Sequence, residues 1–299
     1  MLKFAKTSSR LITRSARPNL LVEAIYDQGT AQDLEDGFVI NPPFFGVIDG
    51  TSEPKHFIGK GISFDGLSGG EKVRQIILET FYAAKNNESL EKVILRANEK
   101  LKNLWRKQRI PLNRSDLIAG AVFAFAKVNS KKVEIIQGGD CFALWVNKSN
   151  KIGVTKNQVY FDTFWAQKTI AELMKKHRGD RKKMWLDFYK PLCRLRLRDD
   201  NKKTKTGFAI LNGQSSLKKC WQKIKIPIKG LKFLLLFSDG FVPFKKEKEL
   251  AKETVKFYQK GGLNYILKKK REHEKKTEKK SYRVFDEATA IAIKFDKIN

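Results

Sequence analysis

Six acidic residues stand directly against apolar runs of strand length. Phe44–Ile48 leads into Asp49-Gly50, and Phe233–Phe237 leads into Ser238-Asp239-Gly240. Glu35-Asp36 stands just before the apolar stretch from Phe38. Asp140 follows Gly138-Gly139, and Asp286 opens Asp286-Glu287-Ala288-Thr289 ahead of the last apolar segment. A single Asp-Gly after a strand is usually a turn. Repeated at several strand ends, the pattern also fits a second chemistry. Carboxylates gathered at one edge of a sheet repel unless cations sit among them, and hard divalent ions such as Mg²⁺ or Mn²⁺ take oxygen ligands of this kind. A pair of such ions can activate water and hold a phosphoryl oxygen. Spacing alone leaves turn and metal site both open.

The elements that would position these acids are legible from periodicity. Strands are expected at Leu21–Tyr26, from Phe38, and at Phe44–Ile48, with Asn41-Pro42-Pro43 as the loop between the last two. Val73, Ile76, Ile77, Thr80, Phe81 and Ala84 recur at helical spacing, as do Leu90, Val93, Ile94, Ala97, Leu101 and Leu104, with Ser89 as an N-cap. Residues 119–125 are apolar at successive positions, as in a strand buried on both faces. Further strands are expected at Val133–Gln137, Cys141–Val146, Ile152–Val154, Gly207–Leu211, Lys223–Ile228, Leu231–Ser238 and Ala288–Phe295. Residues 163–198 and 246–282 read as basic helical segments, expected to be a solvated helix pair covering a sheet. Residues 1–20 are polar and basic and are expected to be loosely held, with 21–299 forming one domain. Blocks of strands separated by helices argue for an α+β sandwich over a doubly wound parallel sheet.

Composition narrows the class. The 299 residues are 41% hydrophobic and 11% aromatic, enough for a substantial core. Three cysteines, Cys141, Cys193 and Cys220, exclude a disulfide framework and suit a reducing compartment, so the expected location is the cytoplasm. With no CxxC pair and three histidines, a Cys/His zinc site is not expected. No apolar run reaches the roughly 18 residues of a membrane span, and residues 1–19 lack the apolar centre of a secretory signal peptide. The formal charge is +29, from 61 Lys+Arg against 32 Asp+Glu. The lysines are spread along the chain, which permits non-specific polyanion contact without specifying it. Leu67-Ser68-Gly69-Gly70-Glu71 is similar to an ABC-ATPase signature, but the G-x-x-x-x-G-K-[ST] phosphate loop that such chemistry needs is missing. The segment reads instead as a Gly-rich loop with Ser68 near a helix start.

The ordered set of acidic segments resembles the metal-dependent Ser/Thr phosphatases of the protein phosphatase 2C (PPM) family. The matching segments are Glu35-Asp36, Phe45-Gly46-Val47-Ile48-Asp49-Gly50, Gly139-Asp140-Cys141, Leu234–Gly240 and Asp286-Glu287-Ala288-Thr289, spread over nearly the whole chain. Gly50-Thr51-Ser52-Glu53, Ser68-Gly69-Gly70-Glu71 and Gly207–Gly213 are similar to the bacterial branch. The resemblance implies a four-layer αββα sandwich of two antiparallel sheets flanked by helix pairs, with two Mg²⁺ or Mn²⁺ ions at one end and a possible third, weaker site. It implies that Asp49 bridges the metals, that the Gly50 carbonyl serves one of them, and that Asp239 and Asp286 serve the other. Asp36 falls where the family places an acid at the site. Glu35 is expected behind the ligands, and Asp140 with Asp239 at the weaker site. Asp49 and Asp239 are thereby the expected catalytic residues.

The activity implied is hydrolysis of phosphoserine or phosphothreonine in proteins by a metal-bridging hydroxide, without a covalent intermediate. Two departures bear on rate. Thr51 stands where many members have a His, and Thr supplies no acidic proton at neutral pH. Asp27–Leu34 contains no Arg where many members carry a phosphate-holding one; Lys55 and Lys60 are the expected substitutes, as point charges and not bidentate forks. These departures keep a second reading open, a catalytically weak or inactive regulator that binds a phosphoprotein. The charge keeps open a third, a basic polyanion-binding module. No membrane partner is expected, and nothing in the sequence sets the oligomeric state.

Overall fold

Phe123 and Phe125 face one way along a strand while Val122, Ala124 and Ala126 face the other, and both sets are buried in separate apolar cores. That strand, β5 (Gly120–Val128), is the middle of a five-stranded antiparallel sheet. Its companions are β3 (Asp36–Asn41), β4 (Phe44–Thr51), β6 (Lys132–Gly138) and β9 (Gln222–Pro227), in the order β3-β4-β5-β6-β9. The second sheet contains β1 (Thr7–Thr13), β2 (Leu20–Asp27), β7 (Phe142–Asn147), β8 (Ile152–Val154), β10 (Leu231–Phe237) and β11 (Ala288–Phe295). Its order is β1-β2-β11-β10-β7-β8, also antiparallel throughout. The computed structural model describes residues 7–13, 20–243, 247–277 and 285–295 of the chain.

The two sheets face each other across a core that includes Val22, Phe45, Val47, Ile135, Leu234, Leu236 and Ile291. Outside the first sheet lie α1 (Gly69–Tyr82) and α2 (Leu90–Lys107). Their expected apolar stripes are the ones buried: Val73, Ile77 and Phe81 on α1, and Leu90, Val93, Ile94, Ala97, Leu101 and Trp105 on α2. Burial of one such side chain contributes roughly 1.5–3 kcal/mol. Phe81 stacks on Phe125 with ring centroids 4.2 Å apart, and Gly46 leaves the room that Phe125 occupies. Outside the second sheet lies α5 (Glu247–Thr277), broken into two segments at Gly261-Gly262, where Gly262 takes a φ of 67°. Leu250, Val255, Tyr258, Leu263 and Ile266 of α5 pack on the outer face of that sheet. The layers run helices, sheet, sheet, helix, which is the αββα sandwich.

The structure corrects three expectations. Part of the segment expected to be loose, Thr7–Thr13, is an edge strand in register with β2, Thr7 opposite Tyr26 and Thr13 opposite Leu20; an unpaired β2 edge offers it a full ladder of hydrogen bonds. Residues 1–6 and 14–19 lie outside the described residues. The basic segment 163–198 is an antiparallel hairpin, α3 (Tyr160–Lys176) and α4 (Arg181–Asp199), turning at 177–180. It does not cover a sheet. It packs through Met174, Met184 and Phe188 on itself, and through α4 on the short turns Pro54–Ile58 and Ser115–Leu117. Gly207–Leu211 is not a ladder strand but makes single bridges, Ala121 to Leu211 and Asp200 to Phe208, because buried Asn201 engages Ile210 at its N–H and its carbonyl. The long helix ends within the described residues at Thr277, and 278–282 lie outside them. Among the described residues no helix is long and apolar enough to cross a membrane.

Candidate active site

Asp36 and Asp49 are partners in the β3–β4 register, one directly opposite the other at the end of the sheet. The run Phe44–Ile48 is wholly buried and fixes β4 in the middle of the sandwich, so Asp49 is delivered to the rim, half-buried. Gly50 must be small there: a Cβ would come within 2.7 Å of the Glu35 carbonyl, to which the Gly50 N–H donates at 3.1 Å. β10 arrives at the same end with Ser238 buried and Asp239 exposed. Gly240 follows, its space closed by the Glu287 carbonyl. Asp140 is brought there by Gly139, whose φ of +75° and closeness to Val122 exclude a side chain.

These carboxylates act on one another. Burial raises Asp49 well above the usual carboxylate range, and the charges of Asp36, Asp239, Asp140 and Glu287 raise it further. Asp36 is raised by burial, then by Glu287, with Asp239 also raising it; the Ser238 hydroxyl, donating at 2.8 Å, works the other way. Asp140 is raised by burial and by Asp239. Two like charges opposite each other on neighbouring strands are destabilising, and a cluster of this kind favours protonation or a bound cation. Its donors, carboxylate oxygens with the Gly50 carbonyl nearby in sequence, are those that Mg²⁺ or Mn²⁺ prefers. In donor chemistry Asp36, Asp49, Asp140 and Asp239 fit such ions. Among the described residues, though, no three His, Cys, Asp or Glu side chains are gathered closely enough to hold a metal as they stand.

Asp286 stands just before β11 and engages the long outer helix. Its Oδ2 accepts from Lys270 Nζ of α5 at 3.2 Å. Glu35 lies beneath, accepting hydrogen bonds from the Ser52 and Ser68 hydroxyls, and burial holds its carboxyl above the usual range. The Gly-rich segment therefore has a structural task. Ser68 caps α1 in a reciprocal box with Glu71, and Gly70 has no room for a Cβ, which would meet Glu35 Oε1 at 2.2 Å. Lys55 and Lys60 are exposed on and just after the Pro54–Ile58 turn, and the structure records no contact between them and the carboxylates. Thr51 is half-buried, its hydroxyl donating to the Ser52 carbonyl.

Several residues that were given no role at the site hold it in place. Glu287 Oε2 accepts the backbone N–H groups of Glu35 at 3.0 Å and Asp36 at 3.3 Å, while its Oε1 accepts from Tyr26 at 2.7 Å. Burial and the Glu287 charge raise the Tyr26 hydroxyl pKa strongly. Arg74 of α1 donates to the Asp36 carbonyl at 3.1 Å. Ser238 ties Asp36 to β11 by accepting from the Thr289 N–H at 3.1 Å. Glu287 and Ser238 stand inside the matching segments, but spacing does not give their roles, because each contact crosses between elements far apart in the chain.

The sandwich has counterparts among solved structures, although no protein-family model and no curated protein sequence matches the chain. The serine/threonine phosphatase PstP/Ppp of Mycobacterium tuberculosis superimposes with a TM-score of 0.57 at 12% identity, over 93% of this chain and 99% of that one. The serine/threonine phosphatase Stp1 of Staphylococcus aureus gives 0.56 at 16% identity, over 96% and 100%. The catalytic domain of PstP in complex with two manganese ions gives 0.55 at 13%, over 92% and 97%. The fold of this chain is that of the bacterial serine/threonine phosphatases, as the resemblance to the PPM family implied.

Proposed function

We propose that the protein is a divalent-metal-dependent phosphatase acting on phosphoserine or phosphothreonine in proteins. The observation that carries this reading is the in-register pair Asp36–Asp49 at the sheet end, electrostatically joined to Asp140 and Asp239. Asp49, Asp239 and the Gly50 carbonyl would hold Mg²⁺ or Mn²⁺, with Asp36 and Asp140 adding negative charge to the cluster. When bound, such ions lower the pKa of water and neutralise a phosphate's charge. The residues of the chain supply the frame. Glu287 and Ser238 fix Asp36 from two sides, and Glu35 is locked to the N-terminus of α1 through Ser52 and Ser68. Asp239, being exposed, leaves one side of the cluster open to a substrate. Thr51 and the exposed Lys55 and Lys60 contribute neither an acidic proton nor a bidentate phosphate clamp, so the expected turnover is modest.

The test is hydrolysis of a generic phosphomonoester by the purified chain with Mn²⁺, with and without a chelator. Chelator-sensitive turnover that Asp239→Asn lowers on the order of a hundredfold supports the proposal. No turnover at saturating Mn²⁺, or equal turnover by Asp239→Asn, rejects it. Neither the regulator nor the polyanion reading has a structural observation of its own.

A further inference from the structure

Gly139-Asp140-Cys141 is the short link by which the chain leaves β6 in one sheet and enters β7 in the other. Two glycines precede Asp140, and Gly139 takes a positive φ, so the backbone there has little stiffness of its own. A link between sheets also has no ladder to satisfy its polar groups. Side-chain amides take the place of the ladder. Gln158 Oε1 accepts the Gly139 N–H at 2.9 Å, and the Gln158 N–H donates to the Gly139 carbonyl at 3.1 Å. Gln137 Nε2 donates to the same carbonyl at 2.8 Å, from a side chain that is fully buried. Gln158 is itself tied down: its Oε1 also accepts the Ala209 N–H at 3.3 Å, and its Nε2 donates to the Cys220 carbonyl at 2.8 Å. Gln222 Nε2 holds Gln137 in turn, donating to its Oε1 at 2.6 Å.

We infer that Gln158, together with Gln137, is a positioning residue for Asp140: the two amides clamp both backbone polar groups of Gly139 and so fix where the next residue presents its carboxylate. The inference rests on the proposed metal-dependent function. Asp140 is electrostatically joined to Asp49 and Asp239, so its placement bears on the ion they would share. A ligand must be held within about 0.5 Å of its working geometry, and a carboxylate carried on two free glycines would not be. An amide suits the task at Gln158. It accepts the Gly139 N–H and donates to the Cys220 carbonyl at once, and it adds no charge to a cluster of carboxylates. A Glu there would add repulsion, and a Lys or Arg could not accept the N–H. Gln158 stands two residues before α3, so the clamp also ties the start of the basic hairpin to the turn that carries Asp140.

The experiment is a double-mutant cycle read as ion binding and not as turnover. The full chain, cleared with chelator, is titrated with Mn²⁺ while free Mn²⁺ is read by electron paramagnetic resonance. Gln158→Met keeps an unbranched side chain of similar length and removes its hydrogen-bonding end. Asp140→Asn should weaken an ion about tenfold or more, and Gln158→Met should weaken one about tenfold. The double variant should bind within about twofold of Asp140→Asn alone, because Gln158 has nothing left to position. A side chain that only satisfied core polar groups would lower the urea midpoint and leave Mn²⁺ affinity unchanged, so a folded Gln158→Met that binds as the wild type does overturns the inference. Losses that add in the double variant overturn it too, since Gln158 would then act elsewhere than through Asp140. Asp140→Asn binding Mn²⁺ as the wild type does is a third result that overturns it. If Gln158→Met does not fold by circular dichroism, Gln137→Met, which frees the Gly139 carbonyl, takes its place in the cycle with the same expected results. Each overturning result leaves the proposed function standing. A wild-type chain that binds no Mn²⁺ removes the proposed function and this inference with it.

Discussion

Asp49 carries a cost in the folded chain that an uncharged residue would not. Burial and four neighbouring carboxylates raise its pKa, so the fold binds its proton more tightly than the unfolded chain does. Stability is therefore lost as pH rises past the unfolded value near 3.9. Asp49→Asn cannot ionise. In metal-free buffer at pH 7 it should be more stable than the wild type by about 1–2 kcal/mol, and the gain should vanish near pH 3–4. Urea unfolding at both pH values checks the sign. The same variant should lose chelator-sensitive phosphomonoester hydrolysis. The acids at strand ends were legible in the sequence because each follows or precedes a buried run. The pairing of Asp286 with Lys270 was not legible, because the lysine sits 16 residues upstream on a different element, inside a lysine-rich helix where no single lysine stands out.

α4 is anchored by its last turn, at the scale of a single element. Arg196 is buried, pairs with Asp200 at 2.6 Å, and donates to the carbonyls of Ile118 and Ser52. The Ser115 hydroxyl in turn donates to its carbonyl at 2.7 Å. Burial raises Asp200 to about 6, and Arg196 is the charge that holds it from going higher. Arg196→Met should destabilise the chain by about 3–5 kcal/mol at pH 7, where Asp200 must either stay charged without its partner or take up a proton. The loss should be smaller at pH 5, where Asp200 is protonated in the folded state; denaturant melts at both pH values would show an equal loss if the pairing did not matter. Helices α1 and α2 were legible because their stripes face a sheet. The hairpin of α3 and α4 was misread as a covering layer, since its periodicity reports only that it buries something. What it buries is mostly its own Met174, Met184 and Phe188, with Trp185 stacked on Phe57 at 4.5 Å. Gly207–Leu211 looked like a strand for a related reason: its apolar side chains are buried, but its backbone is held by Asn201 rather than by a ladder.

For the whole molecule, charge and topology have separate consequences. A charge of +29 should steer phosphorylated, acidic substrates and nothing else about the fold. Raising salt from about 50 to about 200 mM should lower kcat/KM for a phosphopeptide several-fold and leave a small phosphomonoester nearly unchanged. Equal salt effects on both substrates would remove the steering. The topology bears on how the molecule comes to be made. β11 lies between β2 and β10, pairing Ala288 with Asp27 and Leu235 with Ala292, so strands separated by more than 250 residues in the chain are neighbours in the sheet. Such distant pairing is slow, because the loop must close before its contacts form. A nascent chain that has emerged as far as α5 already has the other sheet and its helices, but β2 and β10 each still present an open edge. Until Ala288–Phe295 has been made, those two edges are sites for pairing with the wrong strand, and the half-built protein is the form in greatest need of a chaperone.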